Sequence, residues 1–376
     1  MDTFQGERQN LAPNDPYFRN QWALGNNAGD INWQEGKAKY RQDSHGGSPN
    51  GPKLVVAVID SGIDPDHPDL RNELWKNPGE IAGNGIDDDN NGIVDDIHGV
   101  NFMRRAGNPT NNPWDDYGHG THCAGIIAAS ANNGQGVAGV AGFSKGKVQI
   151  MALRTFDVNG GQATWTIEAL NYAISKGARL SSNSYGGTTG GSQINPMFQR
   201  ILRQNPNHLF VSAAGNDNQK VTTSGWPNAA RASNHICVAS STSSASRSSF
   251  SNYGTPYVNV FAPGSRILST MPRNKGSYGY YDGTSMACPM VSGLAALIMT
   301  MRGNLNGAQV KQLIEQNVQK KSQFNGLVTT GGLIDVDKTI KAVIGGGSTT
   351  TPAPPPCADK QGREAWCQRY RYFQVF

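Results

Sequence analysis

Short apolar runs alternate along the chain with stretches of helical periodicity. Residues 54–59 are all apolar and mostly β-branched, which is typical of a strand buried on both faces. Similar runs predict further strands, at 147–154, 208–214, 236–240 and 258–262. Helical spacing of apolar residues predicts a helix over 164–176, ended by Gly177, and 290–301 is so apolar that it predicts a helix buried all round.

This alternation of strands and helices predicts the α/β fold class, with three layers: a mostly parallel central sheet and helices on both of its faces. Sheets of this kind place their functional site at the carboxyl ends of the strands. The polar residues that directly follow the apolar runs are therefore the first candidates for chemistry.

Composition narrows the classes of function. The net charge is +5, but the 33 Lys and Arg residues form no basic run, so no nucleic-acid partner is expected. The longest apolar stretches, 54–59 and 294–299, are far shorter than the ~20 residues that cross a bilayer, so no membrane span is predicted. Residues 1–20 contain no apolar signal-peptide segment, which fits a cytosolic protein or a mature fragment with a start methionine.

The composition changes sharply near the C-terminus. Residues 345–356 are rich in Gly, Thr and Pro and are predicted to be a linker. The linker separates a large domain at 1–344, with an N-terminal arm at 1–36, from a short tail at 357–376. The tail contains Cys357 and Cys367, so it is either a loop with one local disulfide or the start of a truncated cysteine-rich module.

Four polar residues stand where strands end or helices begin. Asp60 and Asn216 each follow an apolar run, His119 opens the segment His-Gly-Thr-His, and Ser285 precedes the apolar helix. Singly, such residues are most often turn or cap residues, and His119 with His122 could be a metal pair. The order Asp, His, Ser is, however, the order of one class of hydrolytic triads.

Around these residues the sequence resembles the subtilisin-like serine proteases, above all the thermitase and proteinase K branches and the bacterial and protozoan relatives with a longer Asp-to-His loop. The resemblance extends from about residue 14 to about residue 344. It is carried by the segments 58–64, 67–70, 119–125, 184–187, 213–216, 248–254 and 283–289.

The resemblance implies a serine endopeptidase that works through an acyl-enzyme. Ser285 would be the nucleophile, His119 the general base, and Asp60 the residue that orients the imidazole. The side-chain amide of Asn216 and the backbone N–H of Ser285 would hold the oxyanion. Two alternatives remain: a catalytically inactive binding or adhesion protein on the same fold, and an esterase with the same triad.

Protein or peptide substrates are expected to bind as an extended strand beside Ser184, Tyr185, Gly186 and Gly187. Gly225 would lie near the floor of the first specificity pocket. Tyr185 stands where the family usually has a smaller or aliphatic residue, so the resemblance predicts no particular specificity.

An acidic segment predicts structural calcium. Oxygen-bearing side chains occupy positions 1, 3, 5 and 9 of an EF-hand-like spacing, with Gly92 at position 6. Position 12 is His98 instead of Glu, so Asp96 would close the site; a solvated acidic loop is the alternative. The predicted ligands are Asp87, Asp89, Asn91, the Ile93 carbonyl, Asp95 and Asp96.

The resemblance implies three further features. A second calcium would join Asp15, Asp69 and Asn133. Family members are made with a signal peptide and an inhibitory pro-domain, so the chain is expected to be a mature form, secreted or in a secretory compartment, with its own pro-domain as inhibitor. Cys123 would be a free thiol behind His119, with a disulfide to Cys288 as the competing interpretation, and Cys237 is expected to be free because no partner cysteine occurs between Cys288 and Cys357.

Overall fold

The computed structural model describes residues 12–25, 27–42, 53–104, 107–144 and 146–346. The predicted tail with Cys357 and Cys367, and the predicted linker after residue 346, lie outside the described residues.

A central sheet of nine strands organises the described part of the chain. The strands are β1 Leu54–Asp60, β2 Gly99–Asn101, β3 Val148–Arg154, β4 Phe156–Asp157, β5 Gly160–Gly161, β6 Leu180–Asn183, β7 Leu209–Ala213, β8 His235–Ser241, β9 Val260–Pro263, β10 Ile267–Thr270, β11 Tyr278–Tyr281, β12 Gln319–Lys320 and β13 Gly332–Leu333. The order in the central sheet is β12-β13-β9-β8-β7-β6-β1-β3-β2, and neighbouring strands are parallel except for β12 with β13. Two short antiparallel pairs, β4 with β5 and β10 with β11, lie outside it.

Helices cover both faces of this sheet. The α-helices are α1 Trp33–Gln42, α2 His119–Ala128, α3 Ala163–Ser175, α4 Gly191–Gln204, α5 Thr284–Met301, α6 Gly307–Gln316 and α7 Val336–Ile344, and 3₁₀ turns occur at Phe18–Asn20, Trp22–Leu24, Gly142–Ser144, Arg273–Lys275 and Ser322–Phe324. Alternate side chains of β1 point to opposite faces: Val56 and Val58 belong to the core shared with α2 and α5, whereas Ala57 and Ile59 pack in the core shared with α3 and α4. The predicted α/β class with helices on both faces is thereby confirmed.

Helix α5 is the central helix of the larger core. It contacts β6, β7, β8 and β9, and all but two of its residues, Ser285 and Thr300, are buried. Among the described helices it is the one whose length and hydropathy would suit a bilayer, and packing inside the protein accounts for that composition. It begins six residues before the predicted range because its first turn contains polar residues that the apolar pattern does not include.

Candidate active site

The carboxyl edge of the sheet brings an acid beside an imidazole. Asp60 is the last residue of β1 and is fully buried, and His119 is the first residue of α2. His119 Nδ1 lies 2.7 Å from Asp60 Oδ1, so the ring donates its Nδ1 proton to the carboxylate, and Nε2 is left to act as a base. Burial alone would lower the pKa of His119, but the charge and hydrogen bond of Asp60, with the charge of Asp115, outweigh it and raise that pKa.

A second buried carboxylate, which the sequence pattern did not reveal, ties these two residues together. Asp115 accepts hydrogen bonds from Ser61 Oγ at 2.9 Å, from Gly118 N at 2.8 Å and from Thr121 N at 2.9 Å. Ser61 directly follows Asp60, and the other two donors flank His119. Asp115 therefore fixes the end of β1 relative to the start of α2, and its position four residues before His119 was the signal available in the sequence.

Ser285 lies in the first turn of α5, and its backbone carbonyl is held in an unusual way. Pro289 has no N–H to donate to the carbonyl four residues earlier, so Ser285 O has no partner within the helix. Ser184 Oγ donates to it at 2.9 Å, and Cys123 Sγ lies 3.4 Å from it. In the described structure the Ser285 hydroxyl itself donates to Ser184 O at 3.2 Å, and no hydrogen bond joins it to His119; such contacts are often formed only with substrate bound.

Asn216 presents its amide nitrogen beside the same serine. Its Oδ1 accepts from Thr284 N at 2.9 Å and from Thr284 Oγ1 at 3.0 Å. A backbone N–H can only donate, so the oxygen must face Thr284 and Nδ2 must face away. A Cβ placed on Gly283 would lie 3.4 Å from Ser285 N and 3.6 Å from Asn216 Nδ2, so the two predicted oxyanion donors both lie beside this position, next to Ser285.

A cavity of about 360 Å³ opens beside Ser285. All five residues predicted to contact substrate line it, namely Ser184, Tyr185, Gly186, Gly187 and Gly225. Gly225 forms a buried wall, because a Cβ there would lie 2.6 Å from Asn228 Oδ1. The rim carries charged residues that the sequence did not suggest, Asp217 and Lys220.

A second cavity, of about 270 Å³, lies on the other side of Tyr185, next to His119. Its walls are largely aromatic: Tyr117 is stacked on the His119 ring, and Phe156 lies between His119 and Tyr185. Trp226 completes the wall. These aromatic residues come from separate loops, so no local sequence pattern indicated this cavity.

The three described cysteines are free and buried, as predicted. Cys123 Sγ lies 3.9 Å from His119 Nδ1, one turn along α2, which confirms that the thiol lies behind the imidazole. Cys288 instead contacts Ser182 and Val211 in the core.

The structure brings together only part of the predicted ligand set of the acidic loop. Asp87 and Asp89 form a cluster with Glu80, which lies seven residues upstream of the pattern and was missed. Asp89 Oδ1 is buried and has no hydrogen-bond partner among the described residues, while its other oxygen is paired with Lys176. An unpartnered carboxylate oxygen within an all-oxygen cluster suits a hard cation such as Ca²⁺.

The remaining predicted ligands of this loop face other partners. Asp95 accepts the backbone N–H groups of Gly83 and Gly85. Asp96 is buried and accepts from Asn77, Asn91 and Tyr172, and Asn91 Oδ1 accepts the N–H of Ile93. The structure thus groups Asp87 and Asp89 with Glu80, and the ligand roles of Asn91, the Ile93 carbonyl, Asp95 and Asp96 stay predictions.

The second predicted calcium set does converge. Asn133 N lies 3.1 Å from Asp15 Oδ1, and Asn133 Nδ2 lies 2.8 Å from Asp69 Oδ1. Burial, and then the nearby charge of Asp69, raise the pKa of Asp15 against the opposing effect of its backbone hydrogen bonds. Two buried carboxylates that contact the same residue, Asp15 through the backbone N–H of Asn133 and Asp69 through its side-chain amide, fit a hard cation.

Comparison with known proteins adds to this geometry. The sequence profile described as the Subtilase family matches residues 51–333. The chain is 33% identical over 308 residues to subtilisin-like protease 1 of Plasmodium berghei, covering 77% of this chain and 50% of that one. It is 35% identical over 331 residues to thermitase of Thermoactinomyces vulgaris, covering 88% of this chain and 99% of thermitase.

Two further relatives extend the comparison. The extracellular basic protease of Dichelobacter nodosus is 32% identical over 376 residues, covering 92% of this chain and 58% of that protein. A solved protease structure from Pseudoalteromonas arctica superposes with a TM-score of 0.69 at 25% identity, covering 88% of this chain and 99% of that one. The chain spans about half the length of the Plasmodium relatives it matches.

Proposed function

The chain belongs to the subtilase family, and from this membership and the geometry of the site we propose that it is a serine endopeptidase. Ser285 Oγ attacks the carbonyl carbon of a peptide bond while His119 Nε2 takes its proton. Asp60, bonded to Nδ1, holds the ring in the productive tautomer and stabilises the imidazolium. The proton then passes to the leaving amine. In the second half, water attacks the acyl carbonyl carbon while His119 takes its proton, the bond to Ser285 Oγ breaks, and His119 returns the proton to that oxygen.

The observation that carries the proposal is that Ser285 N and Asn216 Nδ2 lie 3.4 and 3.6 Å from one position beside Gly283, next to the serine. Negative charge develops on the substrate oxygen in the tetrahedral intermediate, and two fixed donors stabilise it there. A protein that only binds peptides has no need for donors placed where charge appears during reaction. This feature favours an active hydrolase over an inactive binding protein on the same fold.

The substrate is proposed to be a protein or peptide in extended form. Ser184–Gly186 lines both cavities, and the exposed backbone of β5 lines the second one, so a strand lying between them can place side chains alternately in each. The aromatic cavity between Phe156 and Trp226 suits a large apolar side chain.

Calcium is proposed as a structural cofactor. Glu80, Asp87 and Asp89 would hold one ion, and Asp15, Asp69 and Asn133 would hold another. The second ion would join the N-terminal arm to the loop after α2, and such a tether raises the barrier to unfolding. Neither ion takes part in the chemical steps.

The protein is further proposed to act outside the cell or in a secretory compartment, because a relative covering most of the chain is named as an extracellular protease. By the same family resemblance its own pro-domain is proposed to inhibit it, occupying the cleft that takes an extended strand.

One experiment separates the three candidate functions. The parent chain and Ser285→Ala are each incubated with unfolded casein and, separately, with a fluorophosphonate that labels reactive serines. We expect the parent both to be labelled and to cleave casein, and the variant to do neither. Labelling without proteolysis would favour an esterase, and absence of both in the parent would favour an inactive binding fold.

A further inference from the structure

The loop that carries Asn216 is held by a segment from elsewhere in the chain. After β7 ends, residues 214–221 form no regular strand, and the backbone adopts positive φ at Gly215 and Asn218. Residues 247–253 lie against this loop. Backbone hydrogen bonds join Asn252 N to Gly215 O at 2.9 Å, Asn218 N to Phe250 O at 2.8 Å, Tyr253 N to Gln219 O at 3.1 Å and Val221 N to Tyr253 O at 2.8 Å.

The side chain of Asn252 adds four hydrogen bonds to the same loop. Its Oδ1 accepts from Asp217 N at 3.0 Å and from Gln219 N at 2.9 Å. Its Nδ2 donates to Ala214 O at 3.1 Å and to Asp217 Oδ2 at 3.2 Å. The residue is buried, and an Asn amide can make four bonds of this kind, so its whole capacity is spent on the two sides of Asn216.

The fit between Asn252 and the loop is close. A Cβ on Gly215 would lie 2.4 Å from Asn252 Nδ2, and the φ of Gly215 is +104°. Glycine is therefore required there both by the backbone conformation and by the space that Asn252 occupies. A regular strand is held by backbone hydrogen bonds to its neighbours, whereas this loop is also held by the four hydrogen bonds of the Asn252 side chain.

We propose that Asn252 is a positioning residue for the oxyanion hole. Thr284 sets the orientation of the Asn216 amide group, and Asn252 fixes the backbone on either side of Asn216, so that Nδ2 reaches the point faced by Ser285 N. This inference rests on the proposed function, and it assigns a role to the segment 248–254, which the triad mechanism leaves unexplained. Asn252 acts through Asn216 and does not itself contact the reacting atoms.

The first test is the split between kcat and KM for a chromogenic peptide amide. Asn252→Ala removes all four side-chain bonds, and a displacement of a catalytic group by 1 Å costs on the order of 10²-fold in rate. We expect kcat to fall by about 10- to 100-fold with KM changed less than about threefold, and Asn252→Ser, which keeps one hydroxyl, to lose less. A kcat within about threefold of the parent in both variants would overturn the proposal.

Asn234→Ala is the matched control. Asn234 is also buried and its Nδ2 donates to three backbone carbonyls, of Leu202, Asn205 and His208, but none of them belongs to the loop that carries Asn216. Asn234→Ala therefore shows how kcat responds when a buried asparagine with several backbone hydrogen bonds is lost outside that loop. We expect its kcat to stay within about threefold of the parent. An equal loss of kcat in the control would reduce the role of Asn252 to general stability and would overturn the proposal.

The second test is a double-mutant cycle with Asn216→Ala. If Asn252 acts by placing the Asn216 amide, then in the Asn216→Ala background Asn252→Ala changes kcat by less than about threefold. Additive losses in the two backgrounds would show that Asn252 acts by another route. Should Asn252→Ala fail to fold, the cycle is run with Asn252→Ser.

A third measurement does not depend on activity. The amides of Asp217 and Gln219 donate to Asn252 Oδ1, so their hydrogen exchange should accelerate by about tenfold or more in Asn252→Ser, while the amides of β7 keep their parent rates. Unchanged exchange at both amides would overturn the anchoring role. A parent chain that cleaves no peptide would instead refute the proposed function, and the exchange rates would still decide the anchoring.

Discussion

Replacing Asn216 by Leu tests the electrostatic part of the mechanism most directly. The substitution removes Nδ2, one of the two proposed donors that lie beside Gly283, and leaves Ser285 N in place. Losing one preorganised donor of this kind costs about 10²–10³ in kcat, or ~2.7–4 kcal/mol of transition-state stabilisation. The substrate carbonyl carries little charge before attack, so the same donor contributes little to ground-state binding.

The substitution also removes the acceptor for Thr284 N and Thr284 Oγ1. Thr284 is fully buried, so the loss of this acceptor leaves its donors unpaired and is expected to cost about 1–3 kcal/mol of folding stability. The value of kcat is therefore measured at a temperature where thermal unfolding shows the variant to be fully folded. Gln204→Leu, the same change from amide to Leu at an exposed position at the end of α4, is the control for polarity alone.

The assay measures kcat and KM on a chromogenic peptide amide, with thermal unfolding recorded for each variant. We expect Asn216→Leu to lower kcat by about 10²–10³ with KM within about threefold, and Gln204→Leu to leave both near the parent values. A variant in which KM rises and kcat is unchanged would show that Asn216 positions substrate, and the assignment of the oxyanion hole would be refuted.

Four further outcomes follow from the site. Ser285→Ala should lower turnover by about 10⁶ while the protein still folds, and activity within tenfold of the parent would remove Ser285 from the mechanism. Asp60 and its hydrogen bond raise the pKa of His119, and only the unprotonated ring can act as a base. We therefore expect kcat/KM to rise with pH, with the midpoint of the rise above about pH 6.5, and a maximum of kcat/KM near pH 4 would contradict this. Chelation of calcium should shorten the active half-life at elevated temperature, and equal half-lives with calcium and with chelator would count against both proposed ions. Mercury compounds should inhibit the parent, because Cys123 Sγ, His119 Nδ1 and a carboxylate oxygen of Asp60 lie within 4.8 Å of one another. The Cys123→Ala variant should not be inhibited, and full mercury sensitivity in that variant would refute the role of the thiol.

Strands with an apolar signature were predictable from the sequence, and one with a polar signature was not. The prediction at 54–59 corresponds to Leu54–Asp60 and that at 208–214 to Leu209–Ala213. β6, Leu180–Asn183, is fully buried yet contains two serines and an asparagine, so no apolar run marks it. Its polar groups are satisfied inside the protein, for instance by Ser181 Oγ with His208 Nε2 at 2.9 Å. The apolar and polar pattern of a sequence does not reveal hydrogen-bond partners that come from distant parts of the chain.

The same limit applies to the site. The short motifs around Asp60, His119 and Ser285 are local in sequence, so the resemblance could pick them out. Glu80 joins Asp87 and Asp89 because the chain folds back over several residues, and the regular spacing instead suggested Asp95 as a ligand. Glu80 and Asp115, to which no motif pointed, could be assigned only from the three-dimensional structure.

The placement of Ser285 on α5 ties the reactive hydroxyl to the interior of the molecule. The helix runs from that serine through a sequence of buried residues as far as Met301, and a segment so enclosed opens only when the whole core opens. Ser285 therefore does not move with the surface loops, and motion of the residues at the rim of the cavity leaves the position of its hydroxyl unchanged. Variation at the far end of α5, for example at Met299, acts on the same rigid body as variation at the serine. In evolution, sequence changes in this enzyme should accordingly be tolerated best in the loops that face the substrate. They should be tolerated least along α5, which carries both the nucleophile and buried core residues.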